Sequence, residues 1–149
     1  MIDILICDDN TNVLEQIYRL IKTFEKNNKI DFNIITKSSA DFILKEDFYC
    51  DIAFIDIEMP GISGLRLAEE LKKKNPDVIV IVVTSFQSYL DDAMRIKVFR
   101  YLSKPIEPNR FFENLWKWWS FIRCPKSQFK SLYSSSTFEK VAYKNIKCR

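Results

Sequence analysis

Acidic side chains stand directly after two short apolar runs of the chain. The first run, Ile2–Cys7, is followed by Asp8 and Asp9, and a later apolar run ends at Asp56. If folding brings these carboxylates together, they repel one another. A hard divalent cation relieves that repulsion, and Mg²⁺ prefers oxygen ligands of this kind. The three aspartates are therefore candidate magnesium ligands.

A hydroxyl and an amine follow two further apolar runs. Thr84 and Ser85 come after six consecutive apolar residues, 78–83, and Lys104 comes after the run 98–102. A lysine and a hydroxyl opposite a bound cation form a clamp for an anion. Cation, lysine and hydroxyl around one remaining carboxylate nucleophile are the groups that stabilise phosphoryl transfer. The combination predicts a site that accepts a phosphoryl group.

These groups can meet only if the runs are neighbouring parallel strands. The apolar spacing predicts strands at 2–7, 31–36, 51–56, 78–83 and 98–102, and helices at 10–26, 40–44, 63–74, 88–96 and 107–122. The run 78–83 shows no polar alternation, which is typical of a central parallel strand. Strands alternating with helices predict an α/β fold, a flavodoxin-like five-stranded parallel sheet of order 2-1-3-4-5 with helices on both faces. The carboxyl ends of its strands then converge.

Each of these positions also has a purely structural interpretation. A polar residue after a strand is commonly a helix cap or a turn residue. Asp9 or Asn10 could cap the first helix, and Thr84 or Ser85 could cap the fourth. We favour the chemical interpretation because groups suited to phosphoryl transfer follow four of the predicted strands at once.

Four segments resemble a known family. They are 4–9 (ILICDD), 53–64 (AFIDIEMPGISG), 82–85 (VVTS) and 99–105 (FRYLSKP). Together they resemble the receiver domain of bacterial two-component response regulators, and the resemblance covers residues 2–123. It implies a switch that is phosphorylated by a sensor histidine kinase and that catalyses only its own phosphorylation and dephosphorylation.

The resemblance assigns roles to the acidic residues. Asp56 matches the phosphoacceptor, which attacks a phosphohistidine on the partner kinase. Asp8, Asp9 and Asp56 are implied as ligands of Mg²⁺, Asp8 either directly or through water. The backbone carbonyl of Glu58 is implied as a further ligand.

Other roles fall on the later strands. Lys104 is implied to pair with the phosphoryl oxygens, and Thr84 to hydrogen-bond them once its strand end shifts. Tyr101 resembles the aromatic switch that turns inward on activation. The bond between Lys104 and Pro105 resembles a cis peptide of the family. Signalling is expected through the surface of the fourth helix, the fifth strand and the fifth helix, and the outcome is expected to be control of transcription.

The last predicted helix is apolar around much of its circumference, which suggests a second partner. One stripe contains Phe111, Leu115, Trp118 and Ile122, and a second contains Phe112, Trp116 and Trp119. We predict that Phe112, Trp116 and Trp119 are more exposed than Phe111, Leu115 and Trp118. We expect the exposed stripe to contact a second copy of the chain in a homodimer or an output domain.

Residues 124–149 form a basic tail beyond the predicted receiver domain, 1–123. The tail carries six lysines and arginines and one glutamate, and its segment 138–146 is strand-like. It resembles the start of a LytTR DNA-binding domain, so DNA contact is expected only through an output domain that this chain does not contain.

No basic leader or apolar run of transmembrane length is visible, and the four cysteines match no metal spacing. We therefore expect a cytoplasmic protein without membrane contact, its thiols reduced.

Two other functions fit parts of the pattern. A small phosphatase or phosphotransferase of the haloacid dehalogenase type also uses a strand-end aspartate, a hydroxyl, a lysine and Mg²⁺. That class normally has an aspartate two residues after the nucleophile, where this chain has Glu58, and its second acidic pair follows the lysine. A third interpretation is a protein-binding module that is never phosphorylated. The intact Asp9, Asp56, Thr84 and Lys104 argue against it.

Overall fold

A computed structural model describes residues 1–123 and contains one five-stranded sheet. Its strands are β1 (Ile2–Cys7), β2 (Phe32–Lys37), β3 (Ile52–Ile55), β4 (Ile79–Thr84) and β5 (Arg100–Ser103). Their order is β2-β1-β3-β4-β5, and every neighbouring pair is parallel. This confirms the predicted topology. The tail, 124–149, and its strand-like segment lie outside the described residues.

The helices around the sheet depart from the prediction in type and length. The α-helices are α1 (Thr11–Asn28), α2 (Gly64–Lys74), α3 (Leu90–Arg95) and α4 (Pro108–Arg123). The second predicted helix is a single turn of 3-10 helix, Asp41–Leu44, because so short a segment cannot offset the cost of an α-helical nucleus. The fourth predicted helix divides into a 3-10 turn, Gln87–Tyr89, and α3. The fourth and fifth predicted helices thus correspond to α3 and α4.

Strand β4 is an interior strand of the sheet, between β3 and β5. All six of its residues are buried, as its unbroken apolar sequence predicted. The register aligns the strand ends: Cys7 pairs with Ile55, and Ile55 pairs with Val82. The residues that follow β1 and β3 therefore leave the sheet side by side, which is how the fold brings distant aspartates together.

Residues 1–108 form one compact unit that contains all five strands and the candidate site. Helix α4 belongs, from Asn109 onward, to the second unit and is considered by itself. Within residues 1–123, no helix combines the length and the apolar character needed to cross a membrane.

Candidate phosphoacceptor site

Three carboxylates meet at the carboxyl ends of β1 and β3. Asp8, Asp9 and Asp56 each place a carboxylate oxygen within 4.8 Å of the others. Asp8 and Asp56 are buried, with 1% and 7% of their surface exposed, whereas Asp9 is exposed. Two buried carboxylates in one cluster require nearby positive charge to remain ionised. The structure thus brings together the three aspartates that the sequence singled out.

Lys104 supplies that positive charge. Its Nζ lies 2.7 Å from Oδ2 of Asp8 and 3.1 Å from Oδ2 of Asp56. It follows β5 and precedes Pro105 through a cis peptide bond, as the resemblance implied. Burial lowers the pKa of Lys104, but its hydrogen bonds with Asp8 and Asp56 outweigh this and the pKa is raised. Lys104 is therefore a charged ammonium held between two carboxylates.

The pKa of Asp8 reflects the same competition. Burial raises it, while Lys104 and the backbone N–H of Asn10 lower it, and the net effect is a raised pKa. Asn10 N donates to Oδ1 of Asp8 over 2.9 Å. The N-cap of α1 is Asn10 itself, whose side-chain oxygen accepts from Asn12 N. Because Asn10 caps the helix, capping does not account for Asp9, and the structural interpretation of that residue loses its support.

Thr84 and Tyr101 lie beside a shared neighbour, Phe86. Thr84 is buried at the end of β4, and its Oγ1 accepts a hydrogen bond from Phe86 N at 3.4 Å. The hydroxyl of Tyr101, in β5, donates to the carbonyl oxygen of Phe86. The short segment after β4 therefore connects to both residues that the resemblance implied as switch elements.

Gly61 lies in the loop that follows Asp56, and Gly64 is the first residue of α2. Gly61 adopts a left-handed backbone with φ of 82°, which favours glycine. A Cβ on Gly64 would lie 1.9 Å from the backbone oxygen of Asp56. Only glycine lets α2 begin so close to the phosphoacceptor candidate, so this residue helps to fix the position of Asp56.

A hydrogen bond between two loops was not foreseen from the sequence. Tyr89 donates its hydroxyl proton to Oε1 of Glu58 over 2.8 Å, across 31 positions of the chain. The carboxylate raises the pKa of Tyr89, first through this hydrogen bond and then through its charge. Tyr89 follows Phe86 by three positions, and no sequence spacing links it to Glu58.

Cys7 lies at the end of β1, beside the carboxylate cluster. Burial and then the charges of Asp8, Asp56 and Asp9 raise its pKa to about 12. Cys7 therefore stays a thiol at neutral pH and does not compete as a nucleophile or a soft metal ligand. Cys50 is buried and free as well, as expected for reduced thiols.

The two stripes of α4 differ in exposure as predicted. Trp116 is 45% exposed, and Phe112 and Trp119 are partly exposed. The residues Phe111, Leu115 and Trp118 are at most 1% exposed. Ile122, which the spacing places in the same stripe as Phe111, was not part of that prediction and is 37% exposed.

The donor set suits Mg²⁺. All three clustered side chains offer hard carboxylate oxygens, one of them exposed enough to leave room for water ligands. Mg²⁺ keeps several waters and is typically held by one or two carboxylates together with phosphate oxygens. The residues present therefore fit this ion.

The sequence matches the family model of the response regulator receiver domain over residues 4–115. The sensory transduction protein LytT of Oceanobacillus iheyensis is 29% identical over 112 residues, which are 74% of this chain and 45% of LytT. LytT of Bacillus subtilis is 25% identical over 118 residues, 79% of this chain and 48% of that protein. The chain thus spans about half the length of these relatives.

Among solved structures, the response regulator protein TrrA from Thermotoga maritima, in complex with Mg²⁺-BeF, superimposes with a TM-score of 0.66. It is 29% identical, and the match covers 78% of this chain and 98% of TrrA. Sheet order, strand-end residues and the family match agree. The chain belongs to the family of response regulator receiver domains of two-component systems.

Proposed function

We propose that the protein is a phosphorylation switch that accepts a phosphoryl group on Asp56 from a sensor histidine kinase. The observation that carries this proposal is the contact of Lys104 with Asp56 inside the cluster of three carboxylates. A positive group aimed at one carboxylate, with two more carboxylates beside it for a cation, suits the transfer of a dianionic phosphoryl group.

In the proposed reaction, a carboxylate oxygen of Asp56 attacks phosphorus. The new P–O bond forms as the P–N bond of the phosphohistidine breaks, and the leaving imidazole takes up a proton. Lys104 neutralises charge on the phosphoryl oxygens, and Thr84 donates its hydroxyl proton to one of them. Bound Mg²⁺, held by Asp8, Asp9, Asp56 and the carbonyl of Glu58, would supply further charge neutralisation.

The test of this function is labelling by a small phosphodonor such as acetyl phosphate, followed by intact-mass measurement. We expect one acid-labile phosphoryl group per chain in Mg²⁺ and almost none after chelation. The same samples should not turn over a generic phosphate ester, because the switch acts only on its own carboxylate. Ester turnover without stable labelling would favour the dehalogenase-type alternative.

Asp9 provides a test of the metal site. Because Asp9 is the exposed carboxylate of the cluster, Asp9→Ala should weaken Mg²⁺ binding roughly tenfold or more, as expected for loss of one charged ligand, with little change in fold. Titration followed by backbone NMR shifts of residues 7–10 and 56 measures this. The control is Asp91→Ala, an acid in α3 outside the cluster. If Mg²⁺ leaves these NMR shifts of the wild type unchanged, the residues do not form a metal site.

Output is proposed to pass through the exposed aromatic side chains of α4, to a homodimer partner or an output domain that controls transcription in the cytoplasm. The exposed aromatics of α4, above all Trp116, support this because large aromatics commonly anchor interfaces. If a homodimer forms, Trp116→Ala should weaken it by about 2 kcal/mol, measured by sedimentation with and without phosphorylation. Glu113→Ala, in the same helix, is the control. Association unchanged by Trp116→Ala in both states would contradict this surface.

A further inference from the structure

A pocket of about 430 Å³ lies beside the loop that follows Asp56. Its walls come from that loop, from the start of α2 and from Tyr89, and all of them belong to the compact unit of residues 1–108. None of the three clustered aspartates lines it. The volume is within the range of pockets that hold small organic molecules. The pocket is therefore a candidate binding site that is separate from the carboxylate cluster.

The lining of the pocket combines apolar walls with a single charge. Ile57, Met59 and Leu65 supply apolar surface. Among the described residues that line the pocket, only Glu58 carries a charge, and its side chain is exposed. One carboxylate offers too few oxygen ligands for a divalent metal ion. An occupant that matches this lining is apolar over most of its surface and positively charged at one end.

The Glu58 carboxylate is held in place but is not neutralised. Tyr89 donates its hydroxyl proton to Oε1 of Glu58 over 2.8 Å. The Tyr89 ring is itself fixed, because it contacts Phe86 edge-to-face at 6.5 Å and packs against the core. The ion pairs of residues 1–123 do not include Glu58, and Arg66, at the start of α2, pairs with Glu70 instead. A neutral hydroxyl as partner leaves the charge of the carboxylate uncompensated.

An organic ammonium ion suits these surroundings. Its positive charge is attracted by the Glu58 carboxylate, and the Tyr89 ring in the same wall adds attraction for a cation. Its hydrocarbon body displaces water from the apolar walls, which supplies the nonpolar part of the affinity. Because Tyr89 already fixes the carboxylate, little side-chain freedom is lost on binding. An anion is disfavoured by Glu58 and by the charge of Asp92, which also raises the pKa of Tyr89.

We propose that this pocket binds a small organic cation, a primary ammonium group carried on an apolar body. Glu58 is the charged anchor of the site, and Tyr89 is the residue that positions this anchor. The inference goes beyond the proposed function and does not depend on it, because binding requires no phosphorylation. Since Ile57 and Glu58 directly follow Asp56, the occupant contacts the loop that holds the phosphoacceptor candidate.

The test is an NMR titration with three probes of similar shape and different charge, without a phosphodonor. The probes are phenethylamine, which is a cation at neutral pH, the neutral phenethyl alcohol and the anion hydrocinnamate. We expect saturable backbone shifts at residues 57–65 and 89 with phenethylamine, and NOEs from its ring to the methyl groups of Met59 and Leu65. Phenethyl alcohol should bind roughly threefold to tenfold more weakly, and hydrocinnamate more weakly still.

A charge-removing variant tests the anchor. Glu58→Gln keeps an acceptor for Tyr89 but has no charge, so its affinity for phenethylamine should fall to that for phenethyl alcohol. The matched control is Glu69→Gln, at an exposed glutamate of α2 outside the lining, which should bind phenethylamine like wild type. The three probes on the wild type test charge recognition without any variant, so the result does not depend on how Glu58→Gln folds.

Several results would overturn the proposal. Equal affinity for all three probes would mean that the pocket does not recognise charge, and undiminished binding in Glu58→Gln would mean that Glu58 is not the anchor. Shifts confined to residues 7–10, without NOEs to Met59 and Leu65, would place the cation at the carboxylate cluster instead. The absence of saturable shifts would mean that the pocket binds no such cation. All four results leave the labelling of Asp56, and hence the proposed function, untouched.

Discussion

Asp56→Asn should abolish acid-labile phosphorylation while leaving the fold intact. The amide keeps the shape of the side chain but is not a nucleophile toward phosphorus, so no acyl phosphate can form. The variant also removes one charge from a cluster in which Asp8 remains beside Lys104 over 2.7 Å. We therefore expect equal or slightly greater thermal stability, because repulsion between carboxylates is reduced.

The measurement is intact mass after treatment with a small phosphodonor and Mg²⁺, paired with a thermal unfolding curve. Asp41→Asn, a change of the same chemistry at an exposed aspartate near Gly61, is the matched control and should label like wild type. Undiminished labelling of Asp56→Asn would mean that another residue is the acceptor. If Asp56→Asn loses both the labelling and the fold, the acceptor is assigned instead by reductive trapping of the acyl phosphate in the wild type.

Gly64→Ala should destabilise the fold by about 3 kcal/mol or more, at the upper end of overpacking costs. The added Cβ would lie 1.9 Å from the backbone oxygen of Asp56 and 2.8 Å from Cγ2 of Ile55. Neither neighbour is a flexible side-chain end, since one is backbone and the other belongs to a buried strand. The loop that holds Asp56 must therefore move, and labelling of the surviving folded fraction should fall as well.

Gly61→Ala is the comparison for this effect. Its backbone φ of 82° makes alanine strained by about 1–2 kcal/mol, but the nearest atom is a side-chain oxygen of Asp41, which can move away. Chemical unfolding of both variants should therefore rank Gly64→Ala as much the more damaging. Equal and small losses of stability in the two variants would mean that the fold does not need the close approach of α2 to Asp56.

Sequence patterns sufficed to predict the sheet. The run 78–83 is apolar throughout and β-branched, which favours a buried strand, and right-handed crossovers limit the strand order to a few topologies. The same patterns predicted that the aspartates and Lys104 lie at one edge of the sheet, since the carboxyl ends of parallel strands converge. The match to the receiver-domain family supports the same fold, and it does not depend on these sequence patterns.

Features that depend on single turns or on side-chain reach were not predictable. The segment at Asp41–Leu44 is too short for its spacing to separate a 3-10 turn from an α-helix. The contact of Lys104 with Asp8, 2.7 Å long, was not foreseen, because the resemblance pointed Lys104 toward a phosphoryl group. The Tyr89 to Glu58 bond depends on how two loops meet, and loop geometry is poorly encoded in periodicity.

The central claim, that Asp56 is the acceptor, is tested most directly by reductive trapping. Borohydride reduces an acyl phosphate of aspartate to homoserine, so the modified residue can be located by peptide mass spectrometry. After labelling in Mg²⁺, we predict homoserine at position 56 and at no other aspartate. Homoserine at Asp8 or Asp9 instead, or label that borohydride does not convert, would contradict the account.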